Sequence, residues 1–336
     1  MDVKPAEEVG AVQNLRQVLG IDLPILLAPF GPWEQVRLAA AVCQAGGLGQ
    51  LGTTLKSLAD LKVQWARLRD LTYRPFAVNH TARPFDEEAF AATLAFRPAA
   101  VSFHLGIEPK LVMRAHDAGV LWLQQVMSRA QAEEGLAAGA DVLIAQGGEA
   151  GGNGGWVSSM VLVPEIVDVA GDTPVVAAGG IADGRGVAAA FALGAAGVCL
   201  GTRFLASSEM DISGEWKQQI VDADALDAVK VAHSELVLPP PNMPAWPAQP
   251  RALRTPLTDQ LENDPGALDP AELRKRLVAA LQEGRGHQLL PFTGQSAALI
   301  TDVAPAAKII RRLFAEAARA LSTANTMLEQ HGTASP

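Results

Sequence analysis

The feature that most limits how this chain can fold is a repeated switch of hydrophobic period over its first 205 residues. Short β-rich apolar runs end in Gly, Pro or polar residues, and Ala/Leu-rich segments with helical spacing follow them. The runs are 24–30 (PILLAPF), 48–51 (LGQL), 76–79 (FAVN), 100–104 (AVSFH), 120–126 (VLWLQQV), 141–146 (DVLIAQ), 174–178 (PVVAA) and 197–200 (GVCL). Their spacing is roughly that of one βα unit. Strands that alternate with helices form a parallel sheet, and eight of them predict a closed (β/α)8 barrel of the TIM type. An open doubly wound sheet fits less well, because no early strand opens into a G-x-G-x-x-G turn. Ala138-Gly139-Ala140 and Gly194-Ala195-Ala196-Gly197 place a helix-ending glycine directly before a strand, the short αβ loop of such units.

Composition narrows the function. The net charge is −9, and the densest basic clusters, Arg274-Lys275-Arg276 and Arg311-Arg312, sit on apparent helices as solvated faces. This excludes a nucleic-acid binder, which needs clustered cations. Hydrophobic residues make up 49% and aromatic residues 5%, which suits helix-on-strand packing better than an aromatic-rich sandwich. Cys43 and Cys199 lie in apolar stretches and read as buried reduced thiols, so a cytoplasmic setting is expected. No Cys/His metal cluster is expected. The opening MDVKPAEEVG is not signal-like, and the longest apolar run, 187–200, is too short and glycine-broken to span a membrane.

From about Ser207 the texture changes. Residues 213–227 and 271–283 read as helices, 239–250 (PPPNMPAWPAQP) as a Pro-rich loop without regular structure, and 304–321 as an amphipathic helix closing the barrel. The expected division is a barrel over 1–206, a helical lid inserted after strand eight over 207–288, and a returning C-terminal segment over 289–336. The Pro-rich loop is either a lid edge or a subunit contact in a homodimer.

Two segments carry the strongest chemistry: VVAAGGIADGRG (175–186) and GVCLGTRF (197–204). Each is a strand that ends in Gly and opens into a helix. Loops after the last two barrel strands often cradle a phosphate. Gly179, Gly180 and Gly201 allow backbone N–H groups to approach it, Thr202 adds a hydroxyl, and a helix N-terminus adds its dipole.

With PILLAPF, FAVN, VSFHLG, AQGGEAGGNGG and GQSAALI, these segments resemble the nitronate monooxygenase (2-nitropropane dioxygenase-like) family over roughly residues 20–321. That group of FMN-dependent barrels also includes flavin-type enoyl reductases and an NADH:quinone reductase. The resemblance implies that Ala28, Pro29 and Phe30 lie along the flavin ring and that Asn79 hydrogen-bonds it. It implies further that Gln146 and Gly151 touch FMN, and that Gly180, Cys199, Leu200, Gly201 and Thr202 hold its phosphate. Gln125 stands where some relatives have a Lys near the flavin, and Gln295 is expected to reach the site from the C-terminal segment.

One departure bears on the reaction. The family's strand-six loop reads E-A-G-G-H, and its His is the base that takes a proton from the carbon beside a nitro group. Here the residues are Glu149-Ala150-Gly151-Gly152-Asn153. Asn153 can donate and accept hydrogen bonds but cannot act as a general base. His104, at the end of strand four, is the substitute candidate, while His80 follows Asn79 and is turned the other way by strand alternation. Trp156 is expected to wall the pocket, Glu149 to brace its loop and Asp183 to shape the turn before a helix. The expected reaction is oxidation of an alkyl nitronate by dioxygen to a carbonyl compound and nitrite. The alternatives are an NAD(P)H-dependent FMN reductase of quinones or enoyl thioesters, and a flavin-binding protein without turnover.

Overall fold

A computed structural model describes residues 14–238 and 248–332. Eight parallel strands form the expected barrel: β1 (Ile25–Leu27), β2 (Gly49–Gly52), β3 (Phe76–Thr81), β4 (Ala100–His104), β5 (Leu121–Val126), β6 (Val142–Gln146), and then, after a short strand β7 (Gly152–Gly154) in the strand-six loop, β8 (Val175–Ala178) and β9 (Gly197–Leu200). They pair in the order β1-β9-β8-β6-β5-β4-β3-β2. A Leu26–Leu48 bridge closes the ring, with Leu48 N donating to Ile25 O and Leu27 N to Leu48 O, each at 2.9 Å.

Strand alternation then sorts the side chains. Ile25, Leu27, Phe76, Val78, Val101, Phe103 and Trp122 face outward into the core beneath the helices. Leu26, Leu48, Ala77, Ala100, Leu123, Val142 and Val176 face inward and fill the barrel floor, where Leu15, Leu19 and Ile21 plug it from α1 (Leu15–Leu19) and the turn after it. Gly197 seats that plug: a Cβ there would lie 2.4 Å from Leu15 Cδ2. With the floor closed by hydrocarbon, the inward positions nearer the strands' C-terminal ends are left to form a site.

The helices between strands are α2 (Val36–Gln44), α3 (Leu58–Leu71), α4 (Glu87–Phe96), α5 (Pro109–Asp117), α6 (Arg129–Ala138), α7 (Ser159–Ala170) and α8 (Gly184–Ala192), with the one-turn α9 (Thr202–Leu205) after β9. The segment after β9 carries α10 (Gly214–Asp222), α11 (Pro256–Asn263) and α12 (Pro270–Gln282). It also carries two strands, β10 (Ala228–Lys230) and β11 (Gln249–Leu253), which join β7 in the antiparallel sheet β10-β11-β7. Helix α10 stops short of the expected 227 because Asp224 turns the chain: its Oδ1 accepts from Leu226 N at 2.7 Å. Of the Pro-rich stretch, 239–247 lie outside the described residues. Pro250, expected in a loop, is in β11, where its carbonyl accepts from Val231 N at 2.8 Å.

The C-terminal helix α13 (Ala306–Gly332) packs against α8 and α2. Glu316 Oε2 accepts from Gly184 N at 3.1 Å, and a Cβ at Gly184 would lie 2.2 Å from Glu316 Cβ, so α13 rests on the start of α8. Arg203, buried in α9, anchors the approach to α13 through Asp302 Oδ1 (3.1 Å) and Asp302 O (2.6 Å). Hydrogen bonds from Arg312, and Arg203 beside it, hold the Asp302 carboxyl at a pKa of about 2.

Candidate active site

The upper inward layer is polar. Asn79 Nδ2 donates to Ser102 Oγ (2.9 Å) and Ser102 O (3.2 Å), and Ser102 Oγ donates to Gln50 Oε1 (2.8 Å). Beside them Gln125 Nε2 donates to Gln146 Oε1 at 2.9 Å. Two buried atoms on the wall here have no protein partner, Gln50 Nε2 in this network and His104 Nδ1 two residues beyond Ser102 on β4. A buried donor left unpaired costs about 1–3 kcal/mol, so such a layer is built to meet a ligand's polar atoms. Gln50 and Ser102 had a sequence signal that went unread: period-two counting along LGQL and AVSFH points both inward.

These residues line one cleft of about 1250 Å³, with Ala28, Pro29, Phe30, Asn79, His104, Gln125, Gln146, Gly151, Asn153, Gly179, Gly180, Cys199, Gly201 and Thr202 all on its wall. Three expected residues are not on it. The Leu200 side chain belongs to the outward core, because it is one residue out of phase with the inward Cys199. Trp156 is 64% exposed and sits over the Lys230 ammonium at 5.4 Å. Gln295 donates its backbone N–H to Glu149 O at 2.9 Å, while its neighbour Ser296 takes the wall position.

At the glycine loops Gly179 and Gly180 have φ of 96° and 76°, a backbone region that L side chains strain to enter. Gly201 differs: a Cβ there would make only ordinary contacts, 3.5 Å from Ala28 Cβ and 3.7 Å from Phe30 Cε1. The protein therefore does not require glycine at 201, and its smoothness serves the cleft. Asp183 caps α8, its Oδ1 accepting from Arg185 N (2.9 Å) and Gly186 N (3.3 Å). Thr202 Oγ1 accepts from Gly294 N at 2.9 Å, which leaves its own proton available to a ligand. Burial pushes the Cys199 thiol up to about 12, so it stays neutral.

The strand-six loop is held from three sides. Glu149 accepts from Ser159 N at 3.0 and 3.1 Å, and Ser159 Oγ lies 2.9 Å from the Gly179 carbonyl, tying the loop to α7 and to the glycines. Gly151 abuts Gly294: a Cβ on Gly151 would come within 2.7 Å of Gly294 N. On the third side β7 pairs with β11, with Asn153 opposite Pro250. Two cations that sequence reasoning passed over fasten this edge. Lys230 Nζ donates to Gly154 O (2.9 Å), Gly155 O (2.8 Å) and Gln249 O (3.0 Å), and Arg251 donates to Gly148 O through Nε (3.2 Å) and Nη2 (2.9 Å). Neither sits in a local motif, so no sequence signal marks them.

The acid–base inventory is sparse. Burial lowers the His104 pKa to about 4, with a weaker opposing pull from the His80 backbone. The ring is neutral at pH 7 and a weak base, poorly matched to proton abstraction there. His80 points outward as expected: its Nε2 lies 3.0 Å from Thr93 Oγ1 and its ring stacks on Phe103 at 5.5 Å. Lys56, at the rim, is lowered to about 8 by burial, and its Nζ donates to Gly31 O (3.2 Å), Trp33 O (3.2 Å) and Gly52 O (3.0 Å). The site can hold an extended polar ligand and orient an oxyanion, but it is poor in proton acceptors.

Known proteins share this chain's sequence pattern and fold. The nitronate monooxygenase family model matches residues 13–95 and 82–316. A nitronate monooxygenase of Pseudomonas aeruginosa is 32% identical over 352 residues, covering 89% of this chain and 97% of that protein. A (3aS,4S,5R,7aS)-5-hydroxy-7a-methyl-1-oxo-octahydro-1H-indene-4-carboxyl-CoA dehydrogenase of Mycobacterium tuberculosis is 34% identical over 252 residues, 74% of this chain and 68% of that one. Among solved structures, FabK of Thermotoga maritima superposes with a TM-score of 0.83 at 33% identity, covering 93% of this chain and 98% of that chain. Nitroalkane oxidase of Streptomyces ansochromogenes superposes with a TM-score of 0.78 at 29% identity, covering 93% and 100%. No helix among the described residues is long and apolar enough to cross a membrane. An eight-stranded barrel with a polar, glycine-edged cleft at its C-terminal end and matches along most of its length make this chain a member of the nitronate monooxygenase family, whose members are flavin-dependent oxidoreductases.

Proposed function

We propose that the chain binds FMN and oxidises an alkyl nitronate, with dioxygen as co-substrate, to a carbonyl compound and nitrite. The residues present fit this cofactor. Two orphaned polar atoms on the cleft wall, Gln50 Nε2 and His104 Nδ1, would be available to the polar atoms of a heteroaromatic ring. The smooth edge of Gly179, Gly180 and Gly201 with the free Thr202 proton suits a phosphate. Asn79, Gln125 and Gln146 would hold the ring, with Ala28 to Phe30 along its edge. Bound FMN supplies the two-electron redox chemistry, and the protein supplies binding, orientation and electrostatics. The two buried free cysteines support a reducing, cytoplasmic setting.

One observation carries the choice of substrate: Asn153 stands on the cleft wall where relatives carry a base, and the imidazole on the same cleft, His104, is held at a pKa of about 4. Asn153 orients a nitronate oxygen through its amide N–H, and no proton has to be removed from a carbon that is already anionic. A neutral nitroalkane lacks that advantage. Anaerobic mixing of the flavin-loaded protein with a nitronate is expected to bleach the flavin at least about 100-fold faster than its parent nitroalkane, the usual scale of a missing general base. Asn153→His should recover most of that factor for the nitroalkane. Equal rates for both substrates in the unmodified protein overturn this reading.

The second reading, an NAD(P)H-dependent reductase of quinones or enoyl thioesters, is favoured by a cleft larger than a small nitronate needs and by the likeness to FabK. Rapid bleaching by NADH or NADPH in the same apparatus selects it. A flavin that no substrate bleaches selects a binding protein without turnover.

A further inference from the structure

A site that serves one ligand commonly encloses about 300–1,000 Å³, whereas this cleft encloses about 1250 Å³. Its wall is also divided by chemistry. The barrel end is polar, built from Asn79, Gln125, Gln146 and the glycine loops. A second stretch of wall is hydrocarbon, Trp33, Leu238, Leu277, Leu281 and Phe292, with Ser234 and Glu235 at its edge. Leu277 belongs to the lid's own apolar core, while Leu238, Leu281 and Phe292 are only partly buried by it and show their remaining surface to the cleft. Trp33 packs edge-on against Phe292 (6.3 Å between centroids) and Trp216 (5.1 Å), so that wall is a set of interlocked rings. Lys56, beside Trp33, already spends its three protons on backbone carbonyls, while Arg83, also on the wall, lies 3.8 Å from Glu108.

We infer that the substrate carries an alkyl body, with an oxyanion head at Asn153 and a hydrocarbon tail running under the lid along Trp33, Leu281 and Phe292. The inference rests on the reading of Asn153 as the oxyanion contact. It names the substrate class: a long-chain anion, not a two- or three-carbon fragment. Covering a bare apolar wall with methylene groups removes both surfaces from water, and each added carbon strengthens binding until the arm is full.

The test is a binding series. Straight-chain carboxylates from butanoate to dodecanoate, which share the anionic head and are not oxidised by a flavin, are titrated calorimetrically into the flavin-loaded protein. The expected result is a Kd that falls up to about fourfold per methylene before levelling, with the slope at least halved in Leu281→Asn and Phe292→Asn. Melting temperature and flavin spectrum confirm that the variants fold. A flat dependence on chain length overturns the inference, as does a steep slope that both variants retain. Because no turnover is involved, the two readings can fail separately. Steep binding without nitronate oxidation supports the arm and removes the reaction, and rapid nitronate oxidation with flat binding removes the arm alone.

Discussion

Gln50 has its carbonyl oxygen fixed by Ser102 and its amide nitrogen left buried without a protein partner, so the side chain cannot swing to find water. If the proposed flavin binds here, losing this donor should be felt in its affinity. Gln50→Leu is expected to raise the flavin Kd about tenfold, measured by fluorescence quenching on titrating flavin into apoprotein, while an equal truncation at the outward-facing Leu51 should leave it unchanged. Residues like this show what a sequence reveals of a site. Asn79, Gln125 and Gln146 were named through the family resemblance and His104 through its place at a strand end, and all four line the cleft. Gln50 was legible in principle by strand alternation, but its run is four residues long and its polar position is internal. Lys230 and Arg251 were not legible, since the carbonyls they hold lie about 76 and 103 positions away in the chain.

At the scale of elements the site is a junction of three segments: the strand-six loop, the loop after β9 and the stretch around Gly294. They touch through glycines. A Cβ on Gly151 would meet Gly294 N at 2.7 Å and Thr293 C at 2.8 Å, both backbone atoms that cannot rotate away. Gly151→Ala should force the loops apart, lower stability by about 1–3 kcal/mol and weaken flavin binding, because Thr202 is bonded to the same Gly294. Thermal unfolding followed with and without added flavin checks both effects. A variant with unchanged melting temperature and flavin affinity would show that the loops give way freely. The eight strands themselves were readable from hydrophobic period. The sheet β10-β11-β7 was not, because strands of three to five residues that include Gly and Pro carry no periodic pattern.

For the whole molecule, burial makes acid the weak side. His80 and His104 protonate near pH 4 in the fold but near 6.5 when free. Between those values the unfolded chain binds more protons, so stability falls as pH drops through this window and is full above it. The loss is at most about 3 kcal/mol per ring, and smaller for His104, which opens on the cleft. Urea midpoints at pH 7 and pH 5 should show the decrease, and His80→Gln should remove a substantial part of it. An unchanged pH dependence in that variant would place the acid sensitivity elsewhere. The net charge of −9 acts in the opposite sense as carboxylates neutralise, so the His80 variant and not the raw curve is the decisive comparison.

The pairing of β7 with β11 has a consequence for how such a protein can change over time. In many barrels the roof can be exchanged while the chemistry below it stays constant. Here Asn153, proposed to face the substrate's head, sits on a strand whose pairing partner, β11, belongs to the segment after β9. A new roof would bring new backbone spacing to Asn153, so on the proposed roles substrate length and reaction chemistry would change together. Grafting a relative's roof onto this barrel would therefore have to carry residues 148–156 with it.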